Sequence, residues 1–198
     1  MSDKERCPWP GTNPIYIDYH DSEWGVPVYD ERLLFEFLIL EGAQAGLSWI
    51  TILQRREGYR EAFDNFAVER VARFNKRKIE ALMKNTGIIR NRMKIESAIK
   101  NARAFIAVQD EFGGFADYQW HFVGGKPLQN RWQGMKQVPA KTAVSDALSK
   151  DLKKRGFSFV GSTIMYAHMQ AVGMVNDHLI SCFRHKEIAR LGSKKTAK

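Results

Sequence analysis

Two cysteine–histidine pairs near opposite ends of the chain have the residue types of a metal site. His178 and Cys182 are four positions apart, so on a helix they face the same side and can bind one ion. Cys7 and His20 supply the other pair, which completes the Cys2His2 composition of a closed structural zinc site. The 157 residues between the pairs (21–177) match no zinc-finger spacing, so two free buried cysteines and unrelated histidines remain the alternative.

Aromatic side chains are concentrated in the first quarter of the chain. They could pack a core, or they could form a cage that stacks on a flat, electron-poor ring. Glu41 favours the cage, because it follows the apolar residues 38–40 and precedes small residues that allow close approach. A buried acid needs a partner, although a helix-capping carboxylate in the core remains the alternative. The aromatic candidates are Trp9, Tyr16, Tyr19, Trp24 and Trp49.

A possible phosphate site lies in residues 155–163, RGFSFVGST, which link two predicted helices. The glycines Gly156 and Gly161 favour a tight turn between them. Such a turn can present backbone N–H groups, and the helix start at Ser162 and Thr163, to a phosphate. Most turns of this kind bind nothing, so the motif alone is weak.

The net charge of +9, from 31 Lys and Arg against 22 Asp and Glu, indicates a polyanionic partner, usually nucleic acid. The basic stretch 90–94, RNRMK, could line the same polyanion or form a solvated helix face. Residues 192–198 carry three of the cations, so a merely basic tail is the competing explanation.

Length and composition favour one domain over 1–190, built from two packed helical lobes, and a disordered basic tail over 191–198. No apolar run reaches the ~18 residues of a membrane span, and the N-terminus has no signal-peptide core. Two cysteines cannot form a disulfide scaffold, so we expect a reducing, cytoplasmic setting. These features argue against membrane proteins and disordered chains.

Helical periodicity runs through almost the whole chain, and alternating strand patterns are scarce, which predicts an all-α fold. The connection 123–140 is predicted to be irregular because it contains five glycine or proline residues, Gly124, Gly125, Pro127, Gly134 and Pro139. Among the other histidines, His121 and His168 are predicted to be structural and His185 to be solvated. Helices are predicted over 30–40, from Ser48, over 76–83, over 90–112, from Thr142 or Ser145 to Gly156, and over 162–172.

Six ordered segments together resemble the bacterial 3-methyladenine DNA glycosylase I family, over about residues 6–182. Because the motifs are long and follow one order, chance similarity is excluded. The segments are RCPW at 6–9, YIDYHDSEWGVP at 16–27, EGAQAGLSWITI at 41–52, GIIRNR at 87–92, SDALSKDLKKRGFSFVGST at 145–163 and VNDH at 175–178.

The resemblance implies a fold of the helix-hairpin-helix DNA glycosylase superfamily and excision of 3-methyladenine from alkylated double-stranded DNA without strand cleavage. The hairpin falls on residues 156–161. The family's ligands fall on Cys7, His20, His178 and Cys182, implying one structural Zn²⁺ that ties the termini together. The base pocket falls on Glu41, surrounded by Tyr16, Tyr19, Trp49, Trp9 and Trp24.

Within that resemblance, N3-methylation makes the adenine cationic and weakens its glycosidic bond, so flipping and holding the base is the main task. We expect Glu41 to accept hydrogen bonds from the adenine edge and Tyr16 and Trp49 to wall the ring. Leu47 is expected near the gap in the duplex. Most of the superfamily has a catalytic aspartate after the hairpin helix; Asp177 is the nearest acid, but we do not assign it that role. A monomer that releases free 3-methyladenine is expected.

Three other functions fit parts of the sequence. A zinc-containing protein that binds a damaged base without chemistry would keep the same charge, turn and aromatic residues. A zinc hydrolase or deaminase is disfavoured, since four protein ligands leave no open position and the H-x-E…C-x-x-C pattern is absent. A helical interaction module is disfavoured because no exposed amphipathic repeat is present.

Overall fold

The computed structural model describes residues 4–193, which form helices almost throughout. Two-residue strands β1 (Leu128–Gln129) and β2 (Val175–Asn176) pair in parallel, and within 4–193 they form the only sheet. None of the helices in this range is long and apolar enough to cross a membrane. The helices are α1 (Pro14–Ser22), α2 (Glu31–Gln44), α3 (Trp49–Leu53), α4 (Arg56–Ala62), α5 (Val68–Val71), α6 (Lys76–Lys84), α7 (Arg92–Phe112), α8 (Phe115–His121), α9 (Ala143–Lys154), α10 (Ser162–Ala171) and α11 (Phe183–Ser193).

Local capping explains why the helices begin and end near their predicted bounds. The Asp30 carboxylate accepts the Leu33 N–H at 2.8 Å and starts α2. Thr142 and Ser145 exchange side-chain and backbone hydrogen bonds at the start of α9, as in a capping box. Gly113 ends α7 with a φ of +84°, which suits a residue without a side chain.

Helix α2 is the centre of the molecule. Every residue from Leu34 to Ala43 is buried, and the helix packs against α3, α7, α8 and α10. A helix that is buried all round belongs in a core. It continues to Gln44, four residues past the predicted end, because residues 41–43 remain inside this packing.

The two ends of the described chain meet. The backbone N–H of Phe183, where α11 begins, donates to the Glu5 carbonyl at 2.9 Å. Helix α11 runs through Ser193, three residues into the predicted tail, and residues 194–198 lie outside the described range.

Candidate active site and metal centre

A cavity of about 240 Å³ lies beside α1 and the middle of α2. Edge-to-face packing sets its shape: the ring centroids of Trp9 and Tyr16 are 5.1 Å apart, and those of Trp9 and Trp24 are also 5.1 Å apart. The sequence-predicted pocket residues all line it, namely Trp9, Tyr16, Tyr19, Trp24, Glu41 and Trp49.

Three buried polar atoms of this cavity lack hydrogen-bond partners among the described residues. They are the indole N–H groups of Trp9 and Trp49 and the carboxylate oxygen Oε2 of Glu41. Buried polar atoms are normally satisfied, so such a group of orphans needs an explanation. A purely structural aromatic core would not require them, whereas a pocket for a polar ring would.

Glu41 is the only acid that the sequence analysis placed in the pocket, and its side chain is 3% exposed. None of the ion pairs between described residues involves it. Burial raises its pKa from 4.5 to about 8, so the carboxyl group is mostly protonated at neutral pH. Burial also raises the pKa values of Tyr16 and Tyr19, which therefore stay neutral phenols.

A second cavity, of about 330 Å³, adjoins the first. Glu41 and Gln44 line both cavities, so the second one, the outer cavity, lies directly beside the pocket. Leu47 and Thr163 line the outer cavity, and Leu47 is 40% exposed. The structure thus brings Leu47, which is expected near the gap in the duplex, and the start of α10 to the same cavity.

The turn between α9 and α10 uses only one of its two glycines for a left-handed backbone. Gly156 has φ +91°, whereas Gly161 has φ −61°. The second left-handed residue is Phe159, at φ +56°. Asn101 holds this turn, because its amide donates to the Ser158 carbonyl at 2.9 Å and accepts the Ser158 N–H at 2.8 Å.

Gly161 instead leaves room beside the start of α10. A Cβ at this position would meet nothing within 4 Å, so the backbone around Gly161 and Ser162 is open. Nearby, Arg155 is engaged inside the protein, with ion pairs to Glu111 and Asp151 at 2.7 and 2.6 Å. It is therefore not a free phosphate ligand.

Four side chains from the two ends of the chain form a buried cluster that could hold a metal ion. Their ligand atoms all lie within 4.8 Å of one another, and each residue is buried. The hydrogen bond with Cys7 lowers the pKa of the Cys182 thiol. The members are Cys7, His20, His178 and Cys182.

Hydrogen bonds outside the cluster fix the orientation of both imidazole rings. Asp21 accepts from His20 Nδ1 at 2.8 Å, which leaves Nε2 facing the cluster. The Trp24 carbonyl accepts from His178 Nε2 at 3.0 Å, which leaves Nδ1 facing the cluster. Such outer partners are typical of metal-ligating histidines.

Comparison with known proteins places this geometry in a family. The sequence profile of the family described as methyladenine glycosylase matches residues 9–185. The chain belongs to the methyladenine glycosylase family. A DNA-3-methyladenine glycosylase from Haemophilus influenzae is 52% identical over 177 residues, covering 89% of this chain and 96% of the relative.

Solved structures agree with the assignment to the methyladenine glycosylases. A crystal structure of 3-methyladenine DNA glycosylase I is 52% identical, has a TM-score of 0.88, and is covered over 98% of its length by 90% of this chain. A structure described as the basis of 3-methyladenine recognition by the Staphylococcus aureus enzyme is 35% identical, with a TM-score of 0.88, covering 90% of this chain and 95% of that one. The predicted family and helical fold are confirmed.

The remaining histidines of this methyladenine glycosylase correct two predictions. His168 is buried beside Gln119, as expected for a structural residue, and burial lowers its pKa to about 3. His121 is exposed rather than structural. His185 is not simply solvated, because it is half-buried and its Nε2 lies 2.9 Å from the Asn130 carbonyl.

The methyladenine glycosylase pocket also contains residues that the sequence analysis missed. Met135 and Val138 line the cavity from the irregular connection 123–140, whose lack of periodicity gave no signal. Gln170 lines it from α10, and Asp177 from the residue before a cluster histidine. Asp177 was noted in the sequence for its position after the hairpin helix but was not predicted to line the pocket.

Proposed function

We propose that this chain hydrolyses the N-glycosidic bond of 3-methyladenine in alkylated double-stranded DNA and releases the free base. The observation that carries the proposal is Glu41, a buried acid without a cationic partner, among aromatic faces that also carry two unpaired indole N–H groups. Membership in the methyladenine glycosylase family and the names of its relatives support the substrate.

The positive charge of the methylated base would supply the counter-charge that Glu41 lacks inside the protein. The pKa of about 8 shows that Glu41 holds its proton when no cation is near. A cationic base that enters the pocket favours the carboxylate, so the proton leaves to solvent and an ion pair forms in a poorly hydrated site. The carboxylate then accepts hydrogen bonds from the adenine edge. An unmethylated adenine brings no charge to offset the burial of this acid.

The aromatic walls add to this selection. Tyr16 and Trp49 bound the ring, while Tyr19, Trp9 and Trp24 complete the enclosure, and a cation over such faces contributes ~1–2 kcal/mol once desolvated. In the hydrolysis, water oxygen bonds to the sugar C1′ as the C1′–N9 bond breaks. The bonding electrons leave with the base, which becomes neutral, and the water proton passes to solvent.

The proposed DNA contacts lie around the outer cavity. Leu47 fills the gap in the duplex after base flipping, while the start of α10 at Gly161, Ser162 and Thr163 offers backbone N–H groups to a phosphate. Gly156 permits the turn from α9, and the whole unit acts as a helix-hairpin-helix. The positive net charge aids binding, and the protein acts as a monomer.

The buried cluster holds one structural Zn²⁺. Zinc bonds of about 2.3 Å to sulfur and about 2.0 Å to nitrogen, at a tetrahedral angle, separate the two ligand atoms by roughly 3.5 Å. Cys182 Sγ lies 3.5 Å from His20 Nε2 and 3.6 Å from His178 Nδ1, so these residues fit that ion. When bound, the ion supplies a fixed link between the chain ends.

The first test is base release from methylated duplex DNA, with the freed bases separated by chromatography. We expect 3-methyladenine to appear while 7-methylguanine stays in the DNA. Glu41→Gln should slow release at least about 100-fold, because it removes the charge that opposes the cation. Glu61→Gln, at an exposed glutamate of α4, should keep the wild-type rate.

Two results would contradict this proposal in different ways. No base release by folded, zinc-replete protein that still binds methylated DNA would make it a damage-binding protein. Near-normal turnover by Glu41→Gln would keep the reaction but remove Glu41 from it.

A second test addresses the metal. Cys182→Ala should lose the zinc that elemental analysis finds in the wild type, and the loss of a long loop closure should lower stability by about 3–5 kcal/mol. For a chain of this size that lowers Tm by roughly 10 °C. His121→Ala, which changes an exposed histidine, should retain both. Unchanged zinc content and melting in Cys182→Ala would exclude the site.

A further inference from the structure

Asp177 is a buried acid that the proposed reaction does not use. Its side chain belongs to a residue only 2% exposed, and its carboxylate accepts four hydrogen bonds. Oδ1 accepts from Asn130 Nδ2 at 2.6 Å and from Trp132 Nε1 at 2.8 Å. Oδ2 accepts from the Tyr166 hydroxyl at 2.6 Å and from Gln170 Nε2 at 2.7 Å.

These bonds fill the acceptor capacity of the carboxylate. An ionised carboxylate has about four lone-pair sites, and here each one has a donor. A general base must accept a hydrogen bond from the water that it deprotonates. Asp177 has no site left for that water, although its side chain lies at the wall of the pocket.

The four donors belong to two parts of the protein. Asn130 and Trp132 precede the short turn at Met135–Gln137, in a segment that has little regular structure of its own. Tyr166 and Gln170 belong to α10. Asp177 therefore ties an irregular segment to a helix.

The tied segment continues directly into the pocket wall. Met135 and Val138 line the cavity from one side of this link, and Gln170 lines it from the other. Further bonds hold the same stretch: the Trp132 carbonyl accepts the Ile180 N–H at 3.0 Å. A methionine side chain is polarisable and adapts its shape, which suits contact with a flat ring.

We propose that Asp177 is a positioning residue, which holds segment 130–138 against α10 so that Met135 and Val138 form a wall that fits the methylated base. This role deepens the proposed function and rests on it. The carboxylate acts through its neighbours and does not touch the reacting atoms. Its loss should therefore weaken base binding more than it slows the chemical step.

The test uses Asp177→Asn in the full-length, zinc-loaded protein. The asparagine NH2 group must face one pair of the former donors. Towards segment 130–138 it opposes the Trp132 indole, which can only donate. Towards α10, the Tyr166 hydroxyl and the pocket-lining Gln170 amide must both turn to accept it, so in either orientation the pocket wall changes. We expect the dissociation constant for free 3-methyladenine, measured by calorimetry, to rise about tenfold or more. KM for methylated DNA should rise with it, while kcat at saturating DNA should fall by less than about threefold.

A second substitution should rescue the first. In Trp132→Phe combined with Asp177→Asn, no indole N–H opposes the new amide, and the Asn130 amide can rotate to accept from it. Base affinity should return to within about twofold of Trp132→Phe alone. Trp120→Phe is the matched control, because the Trp120 indole donates to the Val28 carbonyl and not to Asp177. Combined with Asp177→Asn, it should not restore base affinity.

The outcomes separate the possible roles. A large loss of kcat with unchanged base affinity, or no rescue by Trp132→Phe, would overturn the positioning role. The calorimetric measurements need no turnover. A wild-type protein that binds the free base but releases none from DNA would therefore defeat the proposed function and leave this test valid.

Discussion

Glu36 and Glu41 of α2 are both buried but have opposite surroundings. Glu36 is 1% exposed and pairs with Arg56 at 2.5 Å and with Arg60 at 2.8 Å. Glu41 is 3% exposed, has no ion pair among the described residues, and has its pKa raised to about 8. A buried acid with cations beside it holds elements together, whereas a buried acid without them is available to a ligand.

The largest effect should come from substituting Glu36, the glutamate that is paired with arginines. Glu36→Gln removes the buried counter-charge that Arg56 and Arg60 share and leaves them only their more exposed partners, Glu23 and Glu57, so the free energy of unfolding should fall by about 3 kcal/mol. Urea denaturation measures this. Glu57→Gln removes only a largely exposed partner of Arg60 and should change stability by less than about 1 kcal/mol. Equal effects of the two substitutions would erase the distinction.

Substituting Glu41, the glutamate without a cationic partner, should raise the free energy of unfolding instead. The folded-state pKa of Glu41, about 8, exceeds the ordinary value of 4.5, so the unfolded chain releases this proton first as pH rises. Unfolding is therefore favoured increasingly between those two pH values. Glu41→Gln has no such proton, so it should be more stable than wild type by roughly 2–4 kcal/mol near pH 8.

Thermal melting of wild type and Glu41→Gln across pH 5 to 8 checks this sign. The gap in Tm should be small at the acidic end and should widen as pH rises. A gap that is constant, or that favours the wild type, would mean that Glu41 has a partner in solution.

A smaller effect should appear where α2 ends. The Lys94 ammonium donates to the carbonyls of Ala43 and Ala45 at 2.8 and 2.7 Å, so this cation stabilises the C-terminal end of α2. Burial lowers its pKa. Lys94→Met should lower stability by about 1–2 kcal/mol and loosen the loop that carries Leu47.

Kinetics distinguish that loosening from damage to the pocket. Excision from duplex DNA should fall in Lys94→Met while affinity for the free base stays at the wild-type value. Lys100→Met changes an exposed lysine of α7, the helix that contains Lys94, and should match the wild type in both excision and base affinity. If base affinity falls together with excision, the loop that carries Leu47 and the base pocket do not act independently.

Features with local causes were predictable from the sequence. The start of α2 at Asp30 and the stop of α7 at Gly113 depend on neighbours within a few residues. The family is confirmed, and the predicted Cys/His set does converge, although its residues alone left the alternative open because 157 others separate the two pairs. Zinc, and the roles of the pocket and DNA-contact residues, stay predictions.

Features with distant causes were not predictable. In the turn predicted at Gly156 to Gly161, Phe159 also has a left-handed backbone, and Asn101, far away in the chain, holds the adjacent Ser158. The pocket wall at Met135 depends on tertiary hydrogen bonds to Asp177 that no periodic pattern announces.

The meeting of the chain ends has a consequence for synthesis. Translation proceeds from the N-terminus, so Cys7 and His20 leave the ribosome long before His178 and Cys182 exist. The first pair must wait, reduced and unpaired, until the chain has been made as far as Cys182. Trp9 follows Cys7 by two positions and forms part of the pocket, so recognition of the base is among the last properties that a newborn chain acquires.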